Sequence, residues 1–327
     1  MRKSTVWLVL VALCSGICVT DAVACTKPVF RYALERWRAA PYGLAVLHKG
    51  ELDRAARDEI SSIVPEDAYN WSVAYGNVDG ELPAGVIKAA WDANPDAARL
   101  PLGFVQIPRG GGTETKPVWT GTLDSAGLAR LKALVYSPTV LSVIRSICSG
   151  DTAVWLILDS PDKKATRTFT KTLEKKLAAL QKELKLPHEL DPLDSAYDDD
   201  LAPGIPMKLE FSIQNVDLKA PETALLNACL SAWAPKLMSM EEPLAVPVFG
   251  RGRALAVFTP DELTDEVLAE VCQFLVGPCS CKVKALNPGF DLVMPFAWER
   301  ALLDESYDVD AVIKSLATTG AESAKGK

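Results

Sequence analysis

The chain has 327 residues, 49% of them apolar, and a formal charge of −7 at pH 7. That is enough for two packed cores, and the acidic balance excludes the basic footprint of a nucleic-acid-binding protein. With two histidines, His48 and His188, and no glycine-rich loop running into Lys-Ser or Lys-Thr, neither a Ser-His-Asp hydrolase nor a P-loop enzyme has residues to stand on.

Arg2 and Lys3 precede an apolar run over 6–19, which ends in Asp21-Ala22-Val23-Ala24. Charge, apolar stretch and small residues in that order predict a secretory signal peptide over 1–24. At about 14 residues the run is shorter than the roughly 20 that a membrane-spanning helix needs. Cleavage after Ala24 removes two bases and one acid, moves the formal charge from −7 to −8 and leaves Cys25 first. A lipid anchor on Cys25 is the alternative, opposed by nearby Asp21 and by Ala22 where a large aliphatic is preferred. The expectation is an exported protein, periplasmic or extracellular, with no transmembrane span in the mature chain. Six cysteines remain, Cys25, Cys148, Cys229, Cys272, Cys279 and Cys281, and an oxidising compartment permits them to pair.

The apolar run 43–48 predicts a buried strand, and 52–63 carries Leu52, Ala55, Ala56, Ile60 and Ile63 at helical spacing before Pro65. Residues 69–78 alternate as a strand, and 84–93 read as a helix. Leu100-Pro101 then opens the apolar stretch LGFVQI, the glycine turn 109–112 leads to a short strand near Val118 and Trp119, and a helix over 125–135 follows with Asp124 as N-cap. The order repeats after Gly150: a strand over 152–158, a long helix opened by Pro161 and ending near Leu186, alternation over 207–216, a helix over 221–233, Val246-Pro247, the turn Gly250-Arg251-Gly252-Arg253, a strand ALAVF and a helix over 261–276. Asn77-Val78-Asp79 and Asn215-Val216-Asp217 end corresponding strands, which points to internal duplication.

Strand, helix, strand, helix, an aliphatic-Pro step, a glycine-turned hairpin and a last helix resemble the thioredoxin fold, and 95–135 in particular resembles the C-terminal half of a thioredoxin. The resemblance implies an α/β protein of two tandem thioredoxin-like domains, with mixed sheets flanked by helices, over 25–150 and 151–278. A C-terminal segment over 279–327 would add a Cys-x-Cys, a strand over 290–294 and, after about Thr318, a disordered tail. It also implies that Pro101 and Pro247 are cis-prolines with structural roles. The family's Cys-x-x-Cys sits where the first core strand meets its helix, because a helix N-terminus stabilises a thiolate. Here those junctions read His48-Lys49-Gly50-Glu51-Leu52 and Asp159-Ser160-Pro161-Asp162-Lys163, without cysteine. A non-catalytic binding or scaffold protein of the cell envelope, with a protein partner and no cofactor or metal, is the expectation that results.

The alternative is thiol-disulfide exchange using Cys25 with Cys279 or Cys281. Cys25-Thr26-Lys27-Pro28 leads into a helix with Phe30, Ala33, Leu34 and Trp37 on one face. A thiol near that helix start would feel its dipole and Lys27. Gly277-Pro278-Cys279-Ser280-Cys281 follows the last repeat helix. Its thiols could form a strained disulfide with each other, hold a metal, or pair with Cys25. A Cys25 link to Cys279 or Cys281, joining the two ends, is the favoured reading. Cys148, Cys229 and Cys272 lie among apolar residues and are expected to be buried free thiols.

Other motifs have bland readings. The stripe Phe169, Leu173, Leu177, Leu180 and Leu184 is expected to pack on its own sheet rather than on a partner. The acidic loop 189–200, with Asp191, Asp194, Asp198, Asp199 and Asp200, lacks the spacing and glycine of an EF-hand, so a solvated insertion is favoured over calcium binding. Arg109, Arg251 and Arg253 in glycine turns are expected to be surface residues rather than an anion clamp. Asn70-Trp71-Ser72 matches a glycosylation acceptor inside a strand.

Overall fold

The computed structural model describes residues 27–82, 85–93, 95, 99–108, 117–187, 201–239, 241–279 and 283–321. Two mixed sheets, each flanked by helices, carry the fold. The first is built from β1 (Tyr42–His48), β2 (Trp71–Asn77), β3 (Leu102–Gln106) and β4 (Trp119–Thr122), in the order β2-β1-β3-β4. The second contains β5 (Ala153–Leu158), β6 (Phe211–Val216), β7 (Leu244–Phe249), β8 (Arg253–Ala254) and β9 (Phe290–Asp291), in the order β6-β5-β7-β8-β9. In both, the first two strands are parallel and the next two pairings antiparallel. Parallel neighbours need a crossover; α2 (Arg54–Ser61) supplies it in the first sheet and α6 (Lys163–Glu183) in the second.

The remaining helices are α1 (Val29–Arg36), α3 (Val86–Ala93), α4 (Ser125–Val135), α5 (Pro138–Cys148), α7 (Ala224–Trp233), α8 (Pro235–Met238), α9 (Asp265–Val276), α10 (Trp298–Leu303) and α11 (Val309–Ala321). Among the described residues no single helix is long and apolar enough to cross a membrane; the bent pair α4–α5 passes by length and composition together, but its apolar residues are core residues of the two sheets.

Side chains alternate across a strand, and that period partitions the core. Tyr42, Leu44 and Val46 of β1 and Val154, Leu156 and Leu158 of β5 enter one continuous cluster that spans both sheets. Ala153, Trp155 and Ile157 face the opposite way, into a second cluster with Leu173 and Leu177 of α6. The stripe on the long helix thus packs on its own sheet. Val29, Phe30, Ala33 and Trp37 belong to that second cluster too, so the first helix among the described residues covers the sheet of the second half. Leu47, Leu82, Leu102 and Phe104 form a small third cluster behind the first sheet.

Several boundaries differ from the sequence expectation. Pro161 does not open α6; Asp162 is its N-cap, two residues after Ser160. The strand expected over 207–216 begins at Phe211, and the one expected as ALAVF is a strand only over Arg253–Ala254, after which Leu255 N donates to Pro247 O and Phe258 exchanges two backbone bonds with Ala245 of β7. The last repeat helix begins at Asp265, capped by Thr264, not at 261. The C-terminal segment is a core component. Leu292, Met294, Phe296, Trp298 and Ile313 are buried, and α11 continues to Ala321, past the Thr318 where a tail was expected.

Leu100-Pro101 is a cis peptide at the start of β3, and it is the one cis bond among the described residues. Pro247 is therefore trans, which corrects the expectation. It lies inside β7 opposite Trp155, whereas the residue preceding β7, in the place that Pro101 takes before β3, is Pro243. Val246-Pro247 imitated the aliphatic-Pro step two residue pairs too late.

Because one cluster joins both sheets, its loss should not be confined to either half. Ile144 on α5, fully buried in that cluster, is expected to cost roughly 2–5 kcal/mol when changed to Ala. Denaturant unfolding followed by far-UV circular dichroism and by tryptophan fluorescence should then shift as one transition; a biphasic curve with one phase unmoved would contradict the shared core.

Candidate functional site

Two places are candidates: the strand-to-helix junctions, and the contact between the N-terminal segment and residues 277–279. At the first junction β1 ends in His48, whose Nδ1–H donates to Gly50 O at 3.0 Å. Gly50 turns the chain at φ +66°, and its N–H donates to Asp79 Oδ2 at 2.9 Å. Asp53 then caps α2, accepting from Ala56 N at 2.8 Å. At the second junction the Asp162 carboxylate accepts from Lys164 N at 2.8 Å and Ala165 N at 3.1 Å. Those two backbone bonds hold its carboxyl below the usual value. Ser160 Oγ donates to Asp162 O at 2.9 Å, and Lys163 pairs with Asp159 at 2.7 Å.

The chemistry of this arrangement is restrictive. Free N–H groups of a helix's first turn lower a thiol pKa by stabilising its anion. At both junctions an aspartate already accepts from those groups, and no thiol stands near them in sequence. Of the four described cysteines, Cys148, Cys229 and Cys272 are core residues within helices. Burial pushes the Cys229 thiol up to about 12 and Cys272 likewise to about 12, and raises Cys148 further. All three are poor nucleophiles at neutral pH.

The N-terminal segment forms a short antiparallel pairing with the end of α9. Val29 N donates to Gly277 O at 3.0 Å and Cys279 N to Lys27 O at 3.0 Å, with Pro28 opposite Pro278. Opposed residues in an antiparallel pair alternate between exchanging two bonds and exchanging none. The two prolines, which lack N–H groups, occupy a pair of the second kind. Pro28 is the N-cap of α1, and the first N–H of the helix is spent on Gly277 rather than on a side chain. Cys279 is buried in the second core cluster; Cys25 and Cys281 lie outside the described residues.

A network of buried charge that sequence reasoning missed holds this end together. Glu35 binds Lys27 Nζ at 2.7 Å and Arg31 Nε at 2.7 Å, and accepts from Ala202 N at 3.1 Å. Arg31 also donates to the carbonyls of Ile205 at 2.7 Å and Ala202 at 2.6 Å. Burial alone would raise the Glu35 carboxyl, but the bonds from Lys27, the Ala202 N–H and Arg31 bring it below its ordinary value of 4.5. The one sequence signal was the i,i+4 spacing of Arg31 and Glu35.

Arg251 and Arg253 are likewise buried, with 5% and 7% of their surface exposed, which corrects the expectation of surface residues. Arg251 donates to Leu34 O at 2.7 Å and to Glu35 O at 3.2 Å, at the C-terminus of α1, and pairs with Glu299 at 2.6 Å. Arg253 pairs with Asp291 at 3.2 Å and donates to Pro288 O at 3.0 Å and Asn287 O at 2.8 Å. Lys284 pairs with Asp291 as well. All three guanidinium nitrogens of each arginine therefore bond protein groups, which does not leave an open anion clamp. Arg109 and the acidic loop 189–200 fall outside the described residues, and among those described no three His, Cys, Asp or Glu side chains converge on a metal position.

Asn70 cannot serve as a glycan acceptor in the folded chain. It is 2% exposed with φ +81°. Its Nδ2 donates to Ala40 O at 3.0 Å while its Oδ1 accepts from Met294 N at 3.1 Å. No protein-family profile, characterised protein or solved structure matches the chain.

The Glu35 cluster makes a pH prediction. A carboxyl whose folded pKa is lowered contributes stability that is full above its unfolded value and is lost as pH falls through the folded one. Glu35→Gln is expected to destabilise by roughly 3 kcal/mol at pH 7, with the deficit relative to wild type shrinking below about pH 4.5. Thermal melts from pH 7 to pH 3 would read this; a deficit independent of pH would refute the charge-based account.

Proposed function

We propose that this chain is an exported, non-catalytic binding or scaffold protein of the cell envelope, made of two thioredoxin-like halves. What carries the reading is the pair of helix N-termini closed by Asp53 and Asp162, at the positions where the family would need an attacking thiolate. Two facts support the thioredoxin-like plan: each half runs its first four strands in the same spatial order, and each joins its parallel pair through a helix. Under this reading the two sheets are a rigid platform, and partner recognition lies on exposed edges and helix faces.

The favoured cysteine arrangement is a staple between Cys25 and Cys279 or Cys281. The pairing of residues 27–29 with 277–279 supports it by bringing the chain segments next to these cysteines together. A disulfide here would close a loop of about 250 residues and constrain the unfolded chain.

An insulin-reduction and isomerase assay on the native protein and on its Cys25→Ser and Cys281→Ser variants tests the reading. The expected result is no acceleration over buffer for any of the three. Turnover that disappears in either variant would establish thiol-disulfide exchange in its place. Peptide mapping of the native protein, alkylated before and after reduction, should find Cys25 joined to Cys279 or Cys281; a lipid on Cys25 would rule the staple out.

A further inference from the structure

We propose that the free edge of β6, flanked by the cations of α6, receives an extended acidic segment of a partner protein as an added strand. This rests on the binding-protein reading and names the class of partner.

β6 is the outermost strand of the second sheet. Val216 O accepts from Asp159 N of the β5 side at 2.9 Å, and backbone groups alternate in direction along a strand. The N–H and C=O groups of Ile213 and Asn215 therefore point outward. Among the described residues no strand or isolated bridge pairs with that edge. Natural edge strands are usually blunted by lysine, proline, a bulge or an inward charge, yet β6 reads FSIQNV and has none of these. An unblunted edge is what strand addition uses: main-chain bonds supply affinity, and alternate side chains supply specificity.

The side chains beside that edge set the specificity. A groove of about 410 Å³ lies between α6 and β6, and its lining includes Lys163, Arg167, Lys171 and Asn215, with Asp159 and Glu174 as the carboxylates. Thr170 Oγ1 donates to Asn215 Oδ1 at 3.0 Å, fixing helix to strand. Lys163 is paired with Asp159, while Arg167 and Lys171 make no ion pair among the described residues. Four residues of helix rise about 6 Å. Same-face side chains of an extended peptide repeat every 6.6–6.8 Å or so, so successive acidic side chains can meet Arg167 and Lys171 in turn.

Charge bookkeeping separates this partner from an anionic membrane. Lys163–Glu183 holds seven Lys or Arg against two Glu, a local +5 on a chain of −7, which leaves −12 elsewhere. A planar anionic surface would confront that remainder, whereas a single extended segment contacts only the cationic flank. The apolar face of α6 is already in the core, so the helix has nothing to insert into lipid. The corresponding helix of the first half, α2, carries Arg54 and Arg57 against Asp58 and Glu59 and offers no such excess.

The probe is a fluorescein-labelled (Glu-Thr)5 peptide, whose glutamates share one face when extended, titrated with the full-length protein by fluorescence anisotropy. Binding weakened at least tenfold by Arg167→Glu/Lys171→Glu, and at least fivefold when the peptide is N-methylated at alternate residues, is expected. The N-methylated peptide interrogates main-chain bonding without altering the protein, so the result does not depend on a variant folding. Undiminished binding of the methylated peptide would overturn strand addition, leaving a charge contact only. Failure of the native protein to bind (Glu-Thr)5, or stronger binding to phosphatidylglycerol vesicles than to the peptide, would overturn the proposal outright. None of these outcomes bears on the absence of disulfide turnover, which the reductase assay decides separately.

Discussion

Two guanidinium groups in one four-residue turn organise the molecule. Gly250-Arg251-Gly252-Arg253 connects β7 to β8, and from it Arg251 reaches the last carbonyls of α1 while Arg253 reaches the segment before β9. A cation at a helix C-terminus is favourable for the dipole and satisfies carbonyls that the helix itself cannot. The glycines are required by the closeness of what surrounds them. A Cβ on Gly250 would lie 2.9 Å from the Ala33 side chain, and one on Gly252 would lie 2.8 Å from Met294. Removing either arginine would leave Glu299 or Asp291 short of a buried partner, the kind of loss that costs several kcal/mol.

From this turn the protein is tied in three directions. Arg251 holds α1 over Trp155 and Phe249, and Trp37 meets Phe249 edge-on at 6.4 Å. Asp291, held by Arg253, accepts from Ala40 N at 2.8 Å, and its carbonyl accepts the Tyr42 hydroxyl at 2.9 Å. The start of β1 in the first sheet is thereby bonded to β9 in the second. Asn70 adds a parallel connection, bridging Ala40 and Met294. These polar links lie beside the cluster shared by both sheets, so apolar burial and directional bonding specify the same relative placement of the halves.

Much of the element order was legible from periodicity. The helix over Ser125–Val135 and its Asp124 cap agree with the sequence expectation to the residue, since a capping aspartate and a clean apolar stripe are local signals. What failed was information of longer range. Arginines in a glycine turn look solvated until one knows that α1 and the segment before β9 descend on that turn. Val246-Pro247 matched an aliphatic-Pro pattern, yet strand pairing rather than local wording fixes where β7 begins. The residues of α11 are small and mixed in character, and the helix exists because Ile313 and Leu316 pack into the shared core. For the candidate site, the absence of cysteine at both junctions was plain in the sequence; that aspartates occupy the same backbone donors was visible only in the structure.

The pairing of Val29 with Gly277 has a temporal side. The ribosome makes α1 near the beginning of the chain, but the surface it covers is complete only after α9 has been made, almost 250 residues later. Its apolar face, Phe30, Ala33 and Trp37, has no seat in the meantime. Nascent chains of this protein must therefore hold α1 unseated until α9 has been made, and its docking closes a loop of about 250 residues.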